Sequence, residues 1–298
     1  MSPPLIYSVI VNWQRPEDTI ECIRSIQSND DYKNLRLLVV DNGSEDYSCQ
    51  RIAAACPEVE LLSLPKNLGF AGGNNEGIKY ALSHKAELVF LLNNDTIIQK
   101  NAISILSSAL GEKREWSVSV PKIYYYDDPN CIWAAGARWR RFPPRVTMIG
   151  FGKRDGPQYN YARELNYATG CALMIKRAVL EDIGGFDPLF MNYQEDYDFC
   201  YRARQVGYRL LYVPQAIVMH KVSRSLGHDA PERWRYLGRN TVLFYRLGER
   251  FSRASLLSFL GWVVLRELAN GNGAHLPAFW QGVRDGFTVL QQAGGQSK

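Results

Sequence analysis

Apolar and polar positions follow two rhythms along the first hundred residues. The runs at 7–12 (YSVIVN), 35–41 (LRLLVVD), 59–63 and 87–92 are short and almost continuously apolar, the pattern of strands buried on both faces. Between them, residues 17–28 place Ile20, Ile23 and Ile26 at helical spacing behind Asp18 and Thr19. Residues 48–55 read as a second helix, and 72–83 as a third after a Gly-rich loop. Strands alternating with helices predict βαβ units and a mainly parallel sheet. The rhythm is lost over 124–158, which is rich in aromatics, Arg, Gly and Pro. Regular structure resumes at 172–175 and 179–183, then a helix over 195–206 and short strands at 210–213 and 217–220. Beyond Pro231 the pattern is helical, with Arg and aromatics interleaved.

The strands end in polar residues. Asn12 follows the first, Asp41 closes the second, Pro65-Lys66-Asn67 follows the third, and Asn93-Asn94-Asp95 breaks off the fourth. In an open parallel sheet these ends share one edge, where ligands bind. One polar strand end is unremarkable; four together predict a site. Asp95 suits a hard cation, or equally an N-cap for a segment starting near Thr96. Asp41 suits an N–H of a pyrimidine, an Asx-turn with Gly43, or both.

Composition narrows the class. The chain has 298 residues, 46% hydrophobic and 22% charged, enough for a sizeable core. Its six cysteines show no CxxC pair, which predicts reduced thiols in a cytoplasmic protein. The start shows no charged leader, and the longest apolar stretch, 255–265, is shorter than the ~20 residues of a spanning helix. The net charge is +5, with eleven Lys and Arg against five Asp and Glu from Lys221 onward. Such a basic end suits an anionic membrane surface or a solvated face. No recognition motif accompanies it, so a nucleic-acid partner is not expected. GxGxxG is absent, which argues against a dinucleotide oxidoreductase.

Five stretches in order, VIVNW, LLVVDNGSED, NLGFAGGNNEGI, VFLLNND and GGFDPLFMNYQEDYDFCYRARQVGYRL, resemble the family 2 glycosyltransferases, closest in flavour to bacterial rhamnosyltransferase-like and galactofuranosyltransferase-like members. The resemblance spans about residues 7 to 225. It implies a GT-A fold, a Rossmann-like mixed α/β sheet flanked by helices, with a C-terminal helical extension over 226–298. The catalytic domain, 1–225, then divides into a nucleotide-binding half, 1–100, and an acceptor half, 101–225. The implied activity is inverting transfer from a nucleotide-diphospho-sugar, dTDP-rhamnose among the candidates, to a hydroxyl of a glycan or lipid-linked glycan in bacterial surface polysaccharide synthesis. The rival reading is a non-catalytic nucleotide-sugar-binding protein.

The resemblance also implies roles. Asn12 and Asp41 match positions that hold the base. Asn67, Gly69, Gly72, Gly73 and Asn74 match the loop over which backbone meets the donor, and Asn94 belongs to the same donor site. Asn93-Asn94-Asp95 matches a DxD-type motif, making Asp95 a ligand of Mg²⁺ or Mn²⁺. Two of its three positions are Asn, which lowers the local charge. Asp196 matches the general base and Glu195 would orient the acceptor. Crowded carboxylates raise a pKa, which suits a base, and acidic residues also complement a helix N-terminus. His220 matches a metal-coordinating His of some relatives, or is structural.

Some residues remain open on their own chemistry. Trp133, Trp139 and residues 124–126 suit sugar stacking or core filling, and Lys221 and Arg224 suit a diphosphate or a solvated face. In the tail, Trp262, Leu265, Leu268 and Ala269 fall on one helical face, suited to peripheral contact with the inner face of the plasma membrane or to packing. Arg233-Trp234 lacks the Gln of a processive QxxRW motif, since Ala230 stands there.

Overall fold

The structure, a computed structural model, describes residues 3–113, 115–222, 230–247 and 250–295. Its first half winds as the sequence predicts: β1 (Ile6–Asn12), α1 (Pro16–Asn29), β2 (Leu35–Asp41), α2 (Ser48–Ala55), β3 (Glu60–Ser63), α3 (Gly69–Ser83) and β4 (Leu88–Asn93). Strands β3, β2, β1 and β4 lie side by side and parallel, with Asn12 beside Asp41 and Val11 beside Asn93. All four polar strand ends therefore meet at one edge.

β4 shows why the run is apolar throughout. Leu88, Phe90 and Leu92 point into one core with α1, α2 and α4 (Ala102–Glu112). Val89 and Leu91 point into the other, which α3, α5 (Arg177–Ile183) and α6 (Glu195–Gln205) complete. A side chain such as Phe90, fully buried, contributes roughly 1.5–3 kcal/mol through removal from water.

The second half is antiparallel and mixed. After β5 (Thr96–Ile98), the long β6 (Trp116–Tyr125) is followed by β7 (Cys131–Ala134), the hairpin β8 (Ala137–Arg141) and β9 (Pro144–Met148), β10 (Lys153–Arg154) and β11 (Arg163–Leu165). The stretch without visible rhythm is therefore mostly short strands, too brief to establish a period. β12 (Ala172–Lys176) inserts antiparallel between β4 and β6. β13 (Arg209–His220) runs parallel to β6, and its end pairs with β5, placing His220 beside Thr96. The two short strands expected at 210–213 and 217–220 are this one strand. Its register slips between Val213 and Ile217, where Pro214 cannot donate to the ladder.

Helix α3 begins at Gly69, not Gly72, so the Gly-rich loop is the first turn of the helix. Gly69 has φ +74°, and a Cβ there would lie 3.0 Å from the Met191 carbonyl oxygen. Gly43, also at positive φ, lets the 66–67 backbone pass where a Cβ would stand.

The tail forms α7 (Pro231–Arg246), α8 (Arg253–Ala269) and α9 (Leu276–Gly295). α7 and α9 pack along a glycine seam: a Cβ on Gly238 would lie 2.1 Å from the Phe279 carbonyl oxygen, and one on Gly282 1.9 Å from that of Arg235. The guanidinium groups of Arg145 and Arg266 both lie over the ring of Trp262 of α8, at 4.2 and 4.7 Å. The outward stripe of α8 is apolar, with Leu257, Leu265 and Leu268 exposed. Among the described residues, no helix is long and apolar enough to cross a membrane.

Candidate active site

A cleft of about 270 Å³ opens at the edge where β1, β2 and β4 end. Among the expected residues it is lined by Asn67, Gly69, Asn74, Asn94 and Asp95. Asn12 and Asp41 lie beneath it, almost fully buried. The Asn12 amide donates to Asp41 Oδ1 at 2.7 Å and its carbonyl accepts from Thr19 Oγ1 at 2.7 Å. Asp41 also accepts from the Ser44 amide at 3.1 Å, closing an Asx-type turn over Gly43. Asn94 Nδ2 reaches the same Thr19 hydroxyl, so one hydrogen-bond chain joins the ends of β1, β2 and β4.

The glycine-rich turn is fastened from both sides. Asn42 donates to Asn67 Oδ1 and to the Gly69 carbonyl, and accepts from the Leu68 amide. Opposite, the Phe70 amide donates to Asn192 Oδ1 and the Ala71 amide to the Met191 carbonyl, each at 2.9 Å. Gly72 and Gly73 face protein: a Cβ would press on Leu68 and Val11 respectively. Asn74 is buried, donates to the Phe70 carbonyl and keeps a place in the cleft wall.

Asp95 caps no helix. It sits in the turn between β4 and β5, and Thr96 enters a strand rather than a helix. Its Oδ1 lies 3.2 Å from His220 Nε2. Burial pushes the Asp95 carboxyl up, but the His220 hydrogen bond and charge outweigh it and leave the group below its usual value. His220 is buried, its Nδ1 has no hydrogen-bond partner among the described residues, and Trp133 meets the imidazole edge-on at 4.5 Å. Asp95 Oδ1 and His220 Nε2, paired at 3.2 Å, would offer an oxygen and an imidazole nitrogen to a Mg²⁺- or Mn²⁺-type ion that takes its other ligands from phosphate and water. Among the described residues no group of three His, Cys, Asp or Glu side chains offers a complete protein cage.

Lys221 does not face the cleft. Its ammonium pairs with Asp18 and Glu21 of α1 at 2.7 and 2.6 Å, while its amide donates to the Asp95 carbonyl. It anchors the Asp95 turn. Arg224 lies outside the described residues.

Helix α6 begins with Glu195, Asp196 and Asp198 in its first turn. Asp198 is wholly buried and paired with Arg202 and Arg250, at 2.8 and 2.6 Å. Asp196 accepts from the amides of Gly170 and Tyr197 at 2.9 and 2.8 Å. Burial raises its carboxyl to about 6 against the opposing pull of those amides. Glu195 is buried beside it with Oε2 unpartnered among the described residues; burial and then the Asp196 charge push it well above its ordinary value. The segment 169–171 joins this carboxylate pair to the Asp95 turn, because the Cys171 carbonyl accepts from the Asn93 amide.

Other cleft-lining residues were not singled out from sequence: Trp13, Arg15, Asn42, Phe70, Met191, Asn192, Glu232 and Tyr236 among them. Trp13 and Asn42 directly follow Asn12 and Asp41, a usable signal. Glu232 and Tyr236 come from α7, and nothing in their local sequence announces a place in the cleft. The middle aromatics are engaged with protein: Trp139 stacks on Phe251 at 4.6 Å, and Tyr124 hydrogen-bonds Asp155.

Comparison with known proteins gives the family and the fold. The family described as "Glycosyltransferase like family 2" matches residues 3–237. The low-salt glycan biosynthesis hexosyltransferase Agl10 of Haloferax volcanii is 28% identical over 274 residues, covering 85% of each chain. The N-acetylglucosaminyl-diphospho-decaprenol L-rhamnosyltransferase of Mycobacterium tuberculosis is 26% identical, covering 72% of this chain and 75% of its own. Among solved structures, GalNAc-T7 with UDP, GalNAc and Mn²⁺ superposes with a TM-score of 0.62 at 16% identity, over 79% of this chain and 47% of that one.

Proposed function

This chain belongs to glycosyltransferase-like family 2 and has the GT-A fold, and from that membership we propose that it is an inverting, metal-dependent transferase acting on a nucleotide-diphospho-sugar. Residues 1–225 form its catalytic domain and 226–298 the helical extension. The observation that carries the reading is the meeting of three elements at one sheet edge: the Asp95–His220 pair, the tethered glycine-rich turn, and Asp196 at the head of α6, joined to the Asp95 turn through 169–171.

Asp196 takes the proton from an acceptor hydroxyl, and that oxygen attacks the anomeric carbon opposite the diphosphate. The bond from that carbon to the diphosphate oxygen breaks, the nucleoside diphosphate leaves with the electron pair, and configuration inverts. Glu195, whose carboxyl burial pushes well above its ordinary value, holds the acceptor hydroxyl. Asp95 and His220 would hold a Mg²⁺ or Mn²⁺, which would supply charge neutralisation for the departing diphosphate. Asn67 and Asn74 offer amide groups to the donor, Asn42 holds the glycine-rich turn in place, and Asn12 with Asp41 fixes the floor beneath the base. The relative named as a decaprenol-linked L-rhamnosyltransferase supports rhamnose as the sugar and a lipid-linked glycan as the acceptor. Dependence on dTDP follows from the resemblance of the motifs. An acceptor in a membrane suits peripheral contact with an anionic lipid surface through the apolar stripe of α8.

A panel of dTDP-, UDP- and GDP-sugars, screened by thermal shift with and without Mn²⁺, tests the assignment. Binding stabilises the native state by an amount that grows with ligand excess over Kd. The expected result is stabilisation by one donor class only with metal, lost in Asp95→Ala. Equal, metal-independent stabilisation of both proteins would remove Asp95 as a metal ligand.

A further inference from the structure

The loop at 189–194, between α5 and α6, has an unusual backbone. Met191, Tyr193 and Gln194 are non-glycine residues with φ of 57°, 68° and 68°. Left-handed backbone at three of four successive positions is disfavoured for such side chains and persists only where the surroundings over-determine it. The surroundings here are α7. Asn240 is fully buried, and its Nδ2 lies 2.8, 2.6 and 2.8 Å from the carbonyl oxygens of Phe190, Asn192 and Tyr193. Arg239 donates to the Leu189 carbonyl at 2.6 Å and to Asn240 Oδ1 at 2.8 Å. Gln194 donates to the Thr241 hydroxyl.

The same loop leads in two functional directions. Its Met191 carbonyl and Asn192 side chain receive the amides of Ala71 and Phe70, the turn that walls the cleft. Its C-terminal end is the N-cap of α6, one residue from Glu195 and two from Asp196.

We propose that Asn240, supported by Arg239 and Thr241, is a positioning residue that clamps the 189–194 loop, so that the donor-side turn and the head of α6 keep one fixed relation. It reaches no substrate and acts through the loop. The catalytic half of this statement rests on the reading of Asp196 as base; the structural half does not.

The test uses the full chain with Asn240→Leu, which keeps the volume and removes the hydrogen bonds, and Asn240→Asp, which sets carboxylate oxygens against the three carbonyls. Hydrogen exchange, without ligand, is expected to be at least about tenfold faster at the Phe70 and Ala71 amides, far from the substitution in sequence, with the amides of β1 and β4 unchanged. Hydrolysis of whichever nucleotide-sugar the wild type turns over is expected to lose about tenfold to a hundredfold in kcat, with KM for donor changed less than about fivefold. Thr241→Val, which removes only the Gln194 contact, should show the same pattern more weakly and serves if the Asn240 variants do not fold. Exchange confined to α7 with kcat unchanged, or a KM effect alone, would overturn the proposal. If the wild type hydrolyses no nucleotide-sugar, the functional reading fails while the exchange result still decides the clamp.

Discussion

Two carboxylates, Asp95 and Asp196, are driven in opposite directions by their neighbours. His220 keeps Asp95 ionised, as a cation ligand requires, while burial lifts Asp196 to about 6, as suits a base. A base must be unprotonated, so kcat/KM is expected to fall about tenfold per unit as pH drops below about 6, and to level off above it. Asp196→Asn should abolish transfer and its acid limb while leaving donor binding near wild type; normal turnover by this variant would remove Asp196 as base. At this scale the sequence was legible where a polar residue interrupts an apolar run, as at Asp95. It was less legible in depth. Asn12 and Asp41 stand at strand ends as expected, but each satisfies the other, leaving Trp13 and Asn42, one position on, to face the cleft. A strand-end pattern gives position along the chain but not how far beneath the surface a side chain stops.

Elements were read well where periodicity is long and badly where glycine or proline alters it. Strand β2 and helix α2 begin and end where the pattern puts them. The stretch 69–71 looks like loop because it opens on glycine, which has low helix propensity, yet α3 begins there, and the missing side chains of Gly69, Gly72 and Gly73 let it pass close to Met191, Leu68 and Val11. The α7–α9 seam obeys the same logic. An added methyl at Gly282 would stand 1.9 Å from the Arg235 carbonyl oxygen, and the helices must separate to admit it. Gly282→Ala is expected to cost about 1–3 kcal/mol, read as a lower urea midpoint at unchanged m-value. Gly261→Ala, where nothing lies within 4 Å, is the control and should not destabilise.

Across the whole molecule, the basic excess after Lys221 and the apolar face of α8 stand at the end of the chain remote in sequence from the motifs. Leu257→Glu with Leu265→Glu is expected to reduce co-sedimentation with phosphatidylserine-containing vesicles by severalfold without lowering thermal stability, since both side chains are exposed; unchanged sedimentation would assign α8 another role. The parallel core of the fold was legible from alternation, but the reach of α7 into the cleft was not, because Glu232 and Tyr236 act only through a long-range approach that no local pattern encodes. That reach bears on the timing of synthesis. Asn240 is made 44 residues after Asp196, a gap of several seconds at roughly 5–20 residues per second. In the last part of that interval, once His220 has been made, the nascent chain holds every expected site residue but not the side chain that gathers the Phe190, Asn192 and Tyr193 carbonyls. A chain stopped by a premature codon near 230 would remain in this incomplete condition, so the order of translation sets when the loop is held, and such a product is expected to lose at least as much turnover as the Asn240 variants.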